Sequence, residues 1–66
     1  MTIYVNDKEI NLNENLTIAQ LIESLKLNIK STAAAVNKEI VPKAQYSEFI
    51  LKDKDRLDLV TIAPGG

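Results

Sequence analysis

The chain has 66 residues, 45% of them apolar and 26% charged, with a formal net charge of −1 and neither cysteine nor histidine. That length allows one thin-cored domain, because a chain of about 60 residues buries only roughly 60% of the surface its unfolded form exposes. Disulfides, thiolate or imidazole metal sites and cysteine or histidine nucleophiles are excluded, and singly scattered lysines offer no basic stripe for nucleic acid.

Thr2 to Val5 is β-branched or aromatic, and Asn6-Asp7 then signals a turn. Lys8 to Leu12 alternates, with Ile10 and Leu12 on one face and Glu9 and Asn11 on the other, which predicts a short antiparallel hairpin. Asn13-Glu14-Asn15 breaks the pattern. Thr17-Ile18-Ala19-Gln20 fits a capping box, with Leu16 placed to staple against Leu21. Ile18, Leu21, Ile22 and Leu25 follow the i, i+3, i+4, i+7 template, predicting an amphipathic helix that stops by Leu27-Asn28. Thr32 to Asn37 is rich in alanine, a helix former, but it is short and runs into the turn-like Asn37-Lys38, so it reads as a strand. Ile40-Val41 is a brief strand closed by Pro42. Lys43 to Ser47 forms one helical turn or an irregular loop. Phe49 to Leu51 reads as a buried apolar run, and Lys52 to Asp55 as a charged turn. Arg56 to Ile62 is the strongest strand, with Leu57 and Leu59 on one face and Val60 and Ile62 on the other, as for a strand covered to some degree on both sides. Together these elements predict an α+β domain over residues 1–62, one sheet of four to five strands with one main helix across it. The last four residues, 63–66, read as a flexible tail.

Side-chain chemistry is scarce. Asp53 and Asp55 lack the glycine and distant glutamate of an EF-hand loop and read as a solvated turn. Tyr4, Tyr46 and Phe49 lack the basic surround of a base-stacking platform, so packing is the expected role. No pair of glutamates suggests acid–base work, and a chain this small leaves little room for a pocket of roughly 300–1,000 Å³. The longest apolar run, Ala33 to Val36, falls far short of the ~20 residues of a membrane span. The N-terminus shows no basic segment followed by an apolar one, so the expectation is a cytoplasmic protein without a signal peptide, monomeric when free.

Both glycines of the chain stand at its last two positions. Pro64 supplies no backbone donor and biases Ala63 toward extended backbone, so sheet pairing should end there. Gly65 and Gly66 carry no Cβ and can thread a narrow slot. A terminal carboxylate is ionised at neutral pH and is a poor electrophile. Activation with ATP makes it an acyl-adenylate, and a sulfur nucleophile can then leave a thiocarboxylate, itself a sulfur donor. Such a protein is a co-substrate rather than an enzyme.

A hairpin, a capped helix, Val36-Asn37 followed by Ile40-Val41-Pro42, Tyr46, the Asp53-x-Asp55 turn and the terminal Gly-Gly recur together from Met1 to Gly66. In this the chain resembles the sulfur carriers of thiamine biosynthesis, the ThiS family of the ubiquitin-like ThiS/MoaD proteins. The resemblance implies a β-grasp fold whose mixed sheet has its first and last strands parallel and central. It implies that Gly66 is adenylated by an E1-like enzyme of the ThiF type using ATP and magnesium. A cysteine-derived persulfide then supplies sulfur, and a thiazole synthase of the ThiG type takes it for the thiazole ring. Gly66 bears the chemistry, while Gly65 and Pro64 give the tail access to partner active sites; no metal or cofactor is bound permanently. Two positions depart from the family pattern: Lys54 stands where a central glycine is common, and Pro64 where a small or apolar residue is common.

A second reading keeps the mechanism but delivers sulfur to molybdopterin or another sulfur-containing product. Those small subunits tend to be longer and to lack the Val-Asn-x-x-Ile-Val-Pro pattern. A reading of another class is a non-covalent ubiquitin-like module that works through exposed residues of its sheet, its tail inert. Asp58, near the tail, reads first as a solvated strand residue, with steering of a basic partner as the alternative.

Overall fold

The computed structural model describes residues 1–62; the predicted tail, 63–66, lies outside the described residues. Five strands and one helix follow in chain order: β1 (Thr2–Val5), β2 (Lys8–Asn11), α1 (Ile18–Ser24), β3 (Thr32–Val36), β4 (Glu39–Val41) and β5 (Arg56–Thr61). Single 3₁₀ turns at Ile29–Ser31 and Lys43–Gln45 fill two connections. The sheet order is β2-β1-β5-β3-β4, with β1 parallel to β5 and the other neighbours antiparallel. The last strand thus lies at the centre, next to the first.

Two hairpins flank that centre, and the same turn chemistry closes both. Val5 pairs with Lys8 and Val36 with Glu39, so each loop has two residues. Asn6-Asp7 and Asn37-Lys38 all adopt positive φ, the type I′ geometry whose twist suits a two-residue hairpin. Both asparagines also bond to β5. The Asn6 side-chain amide accepts from the Leu59 N–H at 2.8 Å and donates to the Leu59 carbonyl at 3.2 Å. The Asn37 Oδ1 accepts from the Arg56 N–H at 3.0 Å.

Helix α1 crosses the inner face of the sheet. The capping box is complete: the Thr17 hydroxyl accepts from the Gln20 N–H and the Gln20 side chain accepts from the Thr17 N–H. Ile18 and Ala19 donate to the carbonyls of Phe49 and Tyr46. The donors that a helix start leaves unpaired are therefore used to dock the segment 46–51. At the other end the helix stops earlier than its apolar spacing suggests. Lys26 N–H bonds Glu23 O and Leu27 N–H bonds Ile22 O, a Schellman arrangement with Lys26 at φ 61° in the place glycine usually holds. Leu25 becomes the cap and is exposed, so the fourth residue of the predicted apolar stripe does not join the core.

The core consists of Ile3 and Val5 from β1, Ala34 and Val36 from β3, Val41 from β4 and Leu57 and Leu59 from β5, packed with Ile18, Leu21 and Ile22 of α1. Tyr46 and Leu51 close the open end. The buried Tyr46 hydroxyl donates to Thr32 O at 2.9 Å, and Thr32, fully buried, donates from its own hydroxyl to Asn28 O at 2.7 Å. Among the described residues every buried side-chain polar atom has a partner. Of the predicted apolar run, Leu51 is buried and Phe49 half-buried, but Ile50 is exposed. Ile50 bridges to Thr17 in a short antiparallel contact, and alternation there turns its side chain outward.

Candidate functional site

Strand β5 positions whatever follows it. Its alternate backbone groups serve the two neighbouring strands in turn. Asn37 N–H bonds Arg56 O and Ile62 N–H bonds Ser31 O, so residues 56, 58, 60 and 62 face β3. Asn6 N–H bonds Leu57 O, and the Asn6 side chain holds both groups of Leu59, so residues 57 and 59 face β1. The start of β5 is tied as well. Tyr4 N–H bonds Asp55 O, Thr2 N–H bonds the Asp53 carboxylate at 2.7 Å, and the Asp55 carboxylate accepts from Lys52 N–H and from the Asn37 side chain. Lys54, between these aspartates, has φ 73°, which explains why a glycine is favoured at that place in the turn.

Asp53 and Asp55 thus serve backbone groups, and no cluster of three or more potential metal ligands occurs among the described residues. The three aromatics do not come together as a platform: Tyr46 is in the core, Phe49 is half-buried, and Tyr4 lies under the Arg56 guanidinium at 4.8 Å. Arg56 also meets the exposed Asp7 at 3.5 Å, a solvated pair that contributes little to stability. No described helix is long and apolar enough to cross a membrane.

The outer face of the sheet carries a feature that the sequence pattern hid. Val60 and Ile62 were expected to be covered, yet they are 61% and 54% exposed, and Ile40 is 84% exposed. The register explains how they meet: Val60 stands opposite Ala33, Asp58 opposite Ala35, and Ala35 opposite Ile40. The two outward alanines are too small to fill the space between the larger side chains. A shallow apolar depression results, lined by Ala33, Ala35, Ile40, Val60 and, at its rim, Asp58. Beyond Asp58 the surface turns polar around Tyr4, Asp7, Lys38 and Arg56. The apolar half lies toward the end of β5, next to the point where 63–66 begin. The predicted site residues Pro64, Gly65 and Gly66 lie outside the described residues, so the described part of the site is the strand and the surface that lead to them.

A helix across a five-stranded mixed sheet, with parallel first and last strands side by side at its middle, is the ubiquitin-like β-grasp fold. The crystal structure of a thiamine biosynthesis protein, ThiS, from Geobacter metallireducens superposes with a TM-score of 0.85 over the whole of both chains at 23% identity. The model of the ThiS family matches residues 1–66, and the chain belongs to that family. The sulfur carrier protein ThiS of Escherichia coli is 32% identical over the full length of both chains. A thiazole synthase of Paramagnetospirillum magneticum is 32% identical over 66 residues; there the present chain spans 20% of the relative's length.

Proposed function

We propose that this chain is a sulfur carrier for thiazole formation, with the Gly66 carboxylate as its reacting group. A carboxylate oxygen of Gly66 attacks the α-phosphorus of ATP on an E1-like, magnesium-using enzyme of the ThiF type, and pyrophosphate leaves. The terminal sulfur of a cysteine-derived persulfide then attacks the acyl carbon, and AMP departs. A second thiol breaks the resulting acyl disulfide; it supplies the electron pair and is oxidised to a disulfide, leaving the thiocarboxylate on Gly66. A thiazole synthase of the ThiG type receives the sulfur, and ATP-dependent chemistry of this kind belongs in the cytoplasm.

The observation that carries the reading is membership of the ThiS family along all 66 residues, the two terminal glycines included. The fold adds a physical reason. Residues that must enter another protein's active site need a rigid base, and β5 is paired on both sides and pinned by Asn6 and Asn37. The exposed apolar depression beside its end gives a partner something to hold other than the tail. The match within a thiazole synthase supports that enzyme class as the acceptor.

Incubation with ATP, magnesium, the E1-like enzyme of the same organism and a persulfide donor should exchange one oxygen for sulfur on Gly66, read by intact mass and fragmentation. An unchanged mass with an enzyme shown to be active on another carrier ends the proposal. Removal of Gly66 should abolish the exchange and leave thermal unfolding unchanged.

A further inference from the structure

Leu59 is held by a side chain where a strand would normally hold it. The ladder between β1 and β5 covers two pairs, Tyr4–Arg56 and Val5–Leu57, and β1 ends at Val5. The chain then leaves the sheet at Asn6, whose φ of 50° begins the hairpin turn, while β5 continues to Thr61. At Leu59 the Asn6 Oδ1 accepts the main-chain N–H at 2.8 Å, and the Asn6 Nδ2 donates to the carbonyl at 3.2 Å. A carboxamide offers the donor and acceptor of a peptide group, so this one side chain extends the β1 edge by a step. The two peptide groups it holds flank Leu59, one shared with Asp58 and the other with Val60. Asp58 and Val60 are the residues that β5 contributes to the outer apolar depression.

Resting on the sulfur-carrier reading above, we infer that Asn6 is a positioning residue: acting through Leu59, it fixes Val60 and Asp58 on the surface that the adenylating enzyme holds. Beyond Leu57, β3 pairs with β5 along one edge, at Asp58–Ala35, Val60–Ala33 and their neighbours. A strand held along one edge can still tilt about it, because the twist between neighbouring strands varies widely. Tilting moves Val60 relative to Ile40, and the width of the depression between them changes with it. The two Asn6 bonds oppose that motion from the other edge. Packing does not do so: helix α1 lies on the inner face, and Val60 is 61% exposed. An enzyme that binds this chain before reacting with it needs contact area, and Val60 and Ile40 are the large apolar side chains left open around the depression. Their spacing is therefore a property of the docking surface, and a turn residue on the far side of β5 maintains it.

Asn6→Gly removes both side-chain bonds and keeps a residue that accepts positive φ, so the hairpin turn survives. Assayed well below its unfolding midpoint, this variant should raise the KM of the adenylating enzyme for the carrier about fivefold and leave kcat unchanged. Tyr46→Phe is the control for stability alone: it removes the buried bond to Thr32 O at 2.9 Å and leaves the outer face intact. Both variants should unfold about 5–10 °C below the native chain, but only Asn6→Gly should change KM. In a Val60→Asp background, Asn6→Gly should add less than about twofold, because residues acting through one surface are not additive. A native KM for Asn6→Gly overturns the positioning role and spares the carrier function. So does an equal rise in Tyr46→Phe, or an undiminished effect of Asn6→Gly in the Val60→Asp background. A native chain that is never adenylated, by an enzyme active on another carrier, removes both readings.

Discussion

The two faces of this sheet are built from the same kinds of residue and put to opposite uses. On the inner face, Leu57 and Leu59 of β5 meet Ile18, Leu21 and Ile22 of the helix and are lost to solvent. One residue beyond Leu59, and so on the other face, Val60 remains open beside Ala33, and Ile40 stands out from the neighbouring β4. An apolar side chain stabilises a fold only if folding removes it from water, at about 25 cal/mol per Å². Val60 and Ile40 gain little of that in the free chain, so their contribution is deferred to whatever covers them. The inner face sets stability, and the outer face is left open to solvent.

Substitutions on the two faces should separate the properties. Leu57→Ala removes a fully buried side chain at the centre of the core and should cost about 2–5 kcal/mol. A domain of this size is expected to have roughly 3–10 kcal/mol in all, so denaturant titration should show a large fraction unfolded or a transition at much lower denaturant. Retention of the wild-type midpoint would mean that the inner layer is not what holds the molecule together. Val60→Asp changes only the exposed face and adds a second carboxylate next to Asp58. It should leave the unfolding midpoint within about 0.5 kcal/mol while reducing kcat/KM for adenylation about tenfold or more. Equal activity would remove the outer face from the partner interface. The smallest effect is expected at the edge of the inner layer, where Lys26→Gly relieves a side chain from φ 61° at the helix end. A gain of about 0.5–1 kcal/mol without change in activity should be seen by thermal unfolding; a loss would show that the lysine side chain makes a compensating contact.

Much of this architecture was legible because it is encoded locally. Thr17 and Gln20 announce the helix start, and both predicted hydrogen bonds are present. Asn6-Asp7 and Asn37-Lys38 mark the hairpin turns through residues that tolerate positive φ. Ala33-Ala34-Ala35 shows the opposite balance: intrinsic preference favours helix, but pairing with β4 and β5 on both sides decides for strand. The helix does stop before Leu27-Asn28, but its exact end was not legible, since the stop signal is usually glycine and this chain has Lys26 there. Coverage of Val60 and Ile62 was misjudged for a deeper reason. Alternation along a strand distinguishes two faces but carries no information about which of them another layer will cover. With one seven-residue helix among the described residues, one face of the sheet is covered and the other is left open. The proposed reacting group was read from the position of two glycines, and it lies beyond the described residues.

The central placement of β5 has a consequence for biosynthesis. Residues Met1 to Asp55 leave the ribosome before it, and until it follows they amount to two hairpins and a helix with no strand to join them. Pairing between β1 and β5 spans nearly the whole described chain, so the decisive contacts are the most distant in sequence and should form late. A nascent chain interrupted before β5 therefore has no complete sheet and presents its apolar residues to proteases and chaperones. Folding itself acts as an inspection of length: the described domain is completed by its last strand, so products truncated before β5 fail to mature.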